Sequence, residues 1–110
     1  MKNKFGVELD ENGYAPSVIT DKEVCFNCGR SGELVRHEVY HGLANRTKSK
    51  NLGCWVPLCP ACHDLCHGKK QKGKNLDIFL KNNCYGLICW HYGWNADDFR
   101  KEFGKSYDVL

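Results

Sequence analysis

The clearest hydrophobic pattern lies in the last third of the chain. Leu76, Phe79, Leu80, Cys84, Leu87 and Ile88 recur at three- and four-residue steps and predict an amphipathic helix. A second, shorter helix follows, with Asn95 placed to cap it, Phe99 and Phe103 on one face and Gly104 as its stop. Earlier, Val35, Val39 and Tyr40 give residues 34–40 the β-branched and aromatic character of a strand. Residues 55–58 predict another, with Pro57 confining it to an edge or a bulge. The stretch 46–50 is polar and basic throughout and reads as a loop, and Cys59-Pro-Ala-Cys62 opens a helix. Near the N-terminus, residues 5–9 alternate roughly and Asp10-Glu-Asn-Gly13 carries a tight-turn signal, which predicts a small hairpin before Pro16 and Ser17. The sum is an α+β chain with no internal repeat or low-complexity tract.

A length of 110 residues suits one domain, and 42% hydrophobic residues make a modest core that a metal would reinforce. The basic start Met1–Lys4 is followed by no apolar stretch of secretory type, and the longest apolar run, Cys84–Trp90, is far short of the roughly 20 residues needed to cross a bilayer. The expectation is a cytoplasmic protein with no membrane span. In a reducing compartment eight cysteines point to metal before disulfides. A net charge of +3 suits a polyanionic partner without requiring one.

Two Cys-x-x-Cys pairs, Cys25/Cys28 and Cys59/Cys62, have the ligand grouping of a tetrahedral four-thiolate site and predict one structural Zn²⁺. The 30 residues between the pairs exceed the spacing of a small zinc ribbon and require a folded insert. Disulfides are the alternative. Cys84, on the apolar helical face, reads as core, whereas Cys66, beside His67, is a candidate fifth thiol. His63 and His67 lie four residues apart, so on a helix both imidazoles share a face and can share a metal; without a third ligand they would be two solvated histidines. His37, on the strand inside the insert, is that third ligand. Three imidazoles leave coordination positions open, as a catalytic metal requires.

The series CFNCG, RHEVYHG, NRTKSKNL and LCPACHDLCH resembles the HNH, or ββα-metal, nucleases, particularly small phage-type proteins. The flanks LDENGYAPS and HYGWNADDFRKEFGKSY look like those of such phage proteins, so the resemblance covers nearly the whole chain. It implies a single domain over residues 1–110: an N-terminal hairpin and lead-in (1–24), zinc knuckles and a ββα-metal core (25–68), and C-terminal helices (75–104). It also implies His37, His63 and His67 as ligands of a catalytic divalent metal, Mg²⁺, Mn²⁺, Ni²⁺ or Zn²⁺. The residue after His37 takes the general-base position, ordinarily a histidine; here it is Glu38, as in some phage-type members. Glutamate can take a proton from water but is the weaker base. Neighbours on a strand point to opposite faces, so a local distortion is expected to let His37 and Glu38 act together. His41 has the chemistry of a substitute base, with an exposed loop position as the alternative. Asn45 and Asn51 are both candidates for the asparagine that orients the base, or serve turns.

The activity implied is metal-dependent hydrolysis of phosphodiester bonds in DNA, by nicking with weak sequence preference; RNA is not excluded. The enzyme would act as a monomer or a homodimer. Arg46, Lys48 and Lys50, with Lys69, Lys70, Lys72 and Lys74 beyond His67, are candidates to neutralise phosphates, or are simply solvated. Trp55, Trp90 and Trp94 could stack on bases, but Trp90 and Trp94 adjoin the apolar helices and read as core. The rival from another class is a non-catalytic zinc module that binds nucleic acid.

Overall fold

The computed structural model describes residues 1–107, which form an α+β unit of two strands and four helices. The element order is β1 (Val35–Glu38), α1 (Asn45–Asn51), β2 (Trp55–Leu58), α2 (Pro60–His67), α3 (Gln71–Tyr92) and α4 (Ala96–Phe103). β1 and β2 pair antiparallel in the register Val35↔Leu58 to Glu38↔Trp55. Pro57 fits because a two-stranded sheet has only edges, and its carbonyl accepts a bond from the Phe26 backbone N–H on the outer side.

The start of α2 follows from its sequence. Cys59 occupies the N-cap in extended backbone and Pro60 the first helical position, where its missing N–H costs nothing. At the other end of the chain, Asn95 and Asp98 form a reciprocal capping box for α4, and Gly104, at φ 83°, ends it. α3 begins at Gln71, so Lys72 and Lys74 are helical and the helix extends by at least one turn beyond its apolar pattern at each end.

The core runs between the sheet and the long helices. Val56, Leu58, Leu80, Cys84, Ile88 and Phe99 are fully buried. Tyr40 is the junction of these layers. Its ring packs on Phe99, Phe103 and Tyr107, and its hydroxyl donates to the Lys81 carbonyl at 2.7 Å. Cys84 is a core residue as its position on the apolar face implies, and burial pushes its thiol up to about 12.

Three local expectations change. Residues 46–50 are helix, not loop: α1 has no apolar stripe for periodicity to detect and is held by polar contacts instead. Buried Ser49 donates to the Tyr40 carbonyl, Asn45 to the Phe103 carbonyl, and Lys48 to the Glu102 carbonyl. The N-terminal hairpin is reduced to one bridge, Lys2↔Glu8, closed by a turn near Gly6, while Asp10–Gly13 forms a separate turn in which the Asp10 carboxylate accepts from the Asn12 and Tyr14 backbones. Asn3 and Asp10 satisfy the backbone groups that a ladder would have paired. Trp90 is not core but 85% exposed, on the outer face of α3, whereas Trp94 stacks on Tyr92. No helix among the described residues is long and apolar enough to cross a membrane.

Gly73 sets the distance between α2 and α3, since a Cβ there would lie 1.9 Å from the Leu65 carbonyl oxygen. Gly86, in the same helix, faces open space. Gly73→Ala should therefore lower unfolding stability in urea by more than about 2 kcal/mol, while Gly86→Ala should raise it by about 0.5 to 1 kcal/mol through helix propensity. Equal effects of the two substitutions would show that the α2–α3 contact is not this close.

Candidate metal centre

Cys25, Cys28, Cys59 and Cys62 bring their sulfurs within 4.8 Å of one another. Cys28 Sγ and Cys59 Sγ are 3.8 Å apart, about the edge of a tetrahedron with metal–sulfur bonds of about 2.3 Å. The Cys25 turn is built like a knuckle. Gly29 N–H returns to the Cys25 carbonyl, Cys28 N–H points at Cys25 Sγ at 3.5 Å, and the Asn27 amide donates to Cys62 Sγ at 3.3 Å. Burial opposes ionisation of Cys25, but the backbone N–H groups of Cys28, Cys59 and Asn27 outweigh it and bring the thiol down to about 6. For Cys62 the Asn27 amide favours the thiolate, yet burial and three neighbouring sulfurs win and push it up to about 12. Four thiolates this close repel one another, and a cation resolves the conflict; the donor set fits one structural metal ion. Cys66 is outside this group, buried, with its thiol raised to about 11 by that burial.

The second cluster starts where the first ends. His63 N–H makes the first helical bond to the Cys59 carbonyl, and one turn later His67 lies over it, with the two Nε2 atoms 3.1 Å apart. His37 comes from the middle of β1, opposite Val56, and its ring centre is 5.6 Å from that of His63 and 5.4 Å from that of His67. One nitrogen of each of the three rings lies within 4.8 Å of the others. His37 is 1% exposed, and neither of its ring nitrogens has a hydrogen-bond partner among the described residues. Leaving such a group unpaired costs about 1 to 3 kcal/mol, so it needs a reason. Burial first, then the charges of His67, His63 and His41, lower His37 to about 4, which keeps it neutral with a lone pair available. This set also fits a metal ion, with His37 as its buried ligand.

These imidazoles line a cleft of about 370 Å³ together with Tyr14, Arg36, Glu38, His41 and Arg46. His37 and Glu38 are neighbours on β1 and both line the cleft. The pairing with β2 keeps its register through Glu38↔Trp55. Glu38 accepts from the Tyr14 hydroxyl at 2.9 Å and pairs with Arg46 at 3.6 Å. His41 is half-buried in the cleft wall, not on an exposed loop, and its Nε2 lies 2.8 Å from Asp77, which also pairs with Lys81.

Other candidate residues lie elsewhere. The Asn45 side chain is committed to the Phe103 carbonyl, and Asn51 lines a different surface hollow with Met1, Lys4 and Lys48. Lys48 bonds to Glu102, and Lys50 lies 4.9 Å over the Tyr14 ring beside the cleft. Lys69, Lys70, Lys72 and Lys74 are exposed just past His67. Tyr14, Arg36 and Asp77 were not foreseen. Tyr14 reaches Glu38 across 24 residues and Asp77 reaches His41, in the cleft wall, across 36, so no local spacing signals either; Arg36 adjoins His37 on β1.

Metal analysis of purified protein should find about one tightly held zinc per chain. Cys28→Ser should release it and lower stability by about 3 kcal/mol, or roughly 10 °C in melting temperature, whereas Cys66→Ala should retain it. Zinc loss in Cys66→Ala would place that thiol among the ligands. For Asp77, burial raises the carboxyl but the bonds from His41 and Lys81 outweigh it and hold it below its ordinary value. A lowered folded value contributes stability above about pH 4 that is lost as pH falls further. Asp77→Asn should therefore cost about 1 to 2 kcal/mol at pH 7, with the gap to wild type closing below about pH 4 in urea titrations.

No known protein family, curated protein or solved structure matches this chain.

Proposed function

We propose that the chain is a metal-dependent endonuclease of the HNH type that nicks DNA. The observation that carries this is the convergence of three metal-competent imidazoles, one carboxylate and two guanidiniums on a single open cleft beside a four-cysteine cluster. β1 and β2 pair and α2 follows β2 directly, with α1 inserted between the strands; two of the imidazoles lie on that helix and one on the first strand, as the sequence resemblance implies.

His37, His63 and His67 would hold a divalent ion that polarises a phosphate oxygen and offsets charge on the leaving 3′ oxygen. Glu38 faces the same cleft and accepts a proton from water as the oxygen–phosphorus bond forms; the phosphorus–O3′ bond breaks and the leaving oxygen is protonated from solvent. Arg46, 58% exposed at the mouth, can neutralise a neighbouring phosphate, and the exposed lysines from Lys69 to Lys74 extend positive charge along the backbone path. Few side chains are left for base edges, consistent with weak sequence preference.

Purified protein should relax supercoiled plasmid when Mg²⁺, Mn²⁺, Ni²⁺ or Zn²⁺ is added. Glu38→Ala should reduce nicking by about 100-fold or more, and His63→Ala should abolish it together with a second, chelator-labile ion while the cysteine-bound zinc stays. Binding without cutting under all four metals would favour the non-catalytic zinc module; cutting of RNA alone would change the substrate and leave the chemistry.

A further inference from the structure

The N-terminal segment supplies the best-held polar contact in the cleft. Tyr14 donates its hydroxyl to Glu38 Oε2 at 2.9 Å. Its ring is fixed on three sides: edge-on to Trp55 at 5.8 Å, under the Arg36 guanidinium at 4.4 Å and under Lys50 at 4.9 Å. Its backbone is pinned as well. Tyr14 N–H donates to the Asp10 carboxylate, the Tyr14 carbonyl accepts from Asp10 N–H, and Arg36 closes the loop by bonding Asp10 at 2.6 Å. The next residue, Ala15, is held by Trp55 Nε1 at its carbonyl and by the Lys50 carbonyl at its N–H.

That amount of fixing is more than a surface tyrosine needs, and it ends on one carboxylate oxygen. The other cleft partner of Glu38, Arg46, is mostly exposed and its Nε lies 3.6 Å from Oε1, beyond hydrogen-bond length, so it restrains the carboxylate less and leaves Oε1 able to take a water. We propose that Tyr14 is a positioning residue for hydrolysis: through its hydroxyl it fixes the rotamer of Glu38, so that the second carboxylate oxygen faces the water that attacks phosphorus. This rests on Glu38 acting as the base in the nuclease reading above. Burial first, and then the neighbouring Glu38, raise the Tyr14 hydroxyl to about 12, so the proton stays on the phenol and the bond keeps its direction. Misplacement of a general base by a fraction of an ångström is costly because proton transfer needs hydrogen-bond geometry.

The test is a plasmid-nicking comparison of wild type, Tyr14→Phe, Glu38→Asp and the double variant, with kcat and KM separated. Tyr14→Phe keeps the ring and its stacking. It should lower kcat about tenfold, equivalent to about 1.4 kcal/mol, leave KM within twofold, and keep the melting temperature and zinc content of wild type. Glu38→Asp withdraws the carboxylate from the hydroxyl by one methylene, so adding Tyr14→Phe to it should change its residual rate less than twofold. Tyr14→Phe at full wild-type kcat, or the same tenfold loss in both backgrounds, overturns the inference while the nuclease reading stands. A Glu38→Ala protein as active as wild type removes Glu38 from the chemistry and the role of Tyr14 with it. A wild-type protein that never nicks sinks the nuclease reading itself.

Discussion

The first turn of α2 belongs to two clusters at once, and the rest of the structure is arranged around that sharing. Cys59 caps the helix and Cys62 sits one turn in, so both are held against the Cys25 turn. His63 follows directly, and its N–H closes onto the Cys59 carbonyl. Any ion bound by the four sulfurs therefore fixes not only the fold but the direction in which His63 and His67 project. A small core gains in the same step, because the cysteine cluster joins the N-terminal lead-in, the end of β2 and α2.

The histidine cluster is less symmetrical than its spacing implies. His63 and His67 are partly open to solvent, whereas His37 is enclosed and neutral. A buried imidazole without a hydrogen-bond partner is a cost the fold carries at one place only among the described residues. Placed at the floor of an open cleft, it resembles a ligand more than a core residue.

Much of this was legible where the signal is local. The Cys-x-x-Cys pairs, the i,i+4 histidines, the Asn95 cap and the Pro-containing β2 each depend on residues within one turn or one strand, and each falls at the expected place. Two kinds of feature escaped. α1 has no apolar stripe because its inward face is Ser49, and its contacts are to backbone carbonyls in α4, which no pattern of side chains announces. The cleft wall escaped for a similar reason: Tyr14 and the Asp77 partner of His41 arrive through distant chain segments, the Asn45 side chain is bonded to the Phe103 carbonyl, and Asn51 lines a different hollow. His37 and Glu38, neighbours on a strand that keeps its register, both line one cleft.

The contacts of the first fifteen residues change what counts as the working unit. Phe5 stacks on Tyr92, Lys4 pairs with Glu102, Asn3 bonds the Asn51 carbonyl, and Ala15 is tied to Lys50. α1 in turn leans on the end of α4. A fragment cut to residues 25–68 would carry every metal-competent side chain and still be a different object: Glu38 would lose its phenolic partner, and α1 the carbonyls that hold it. The ligand motif is thus not portable. Grafted into another frame it would bring metal-binding residues without the wall that shapes the space in front of them, a wall that takes Tyr14 from the N-terminal segment and leans on α4 through α1.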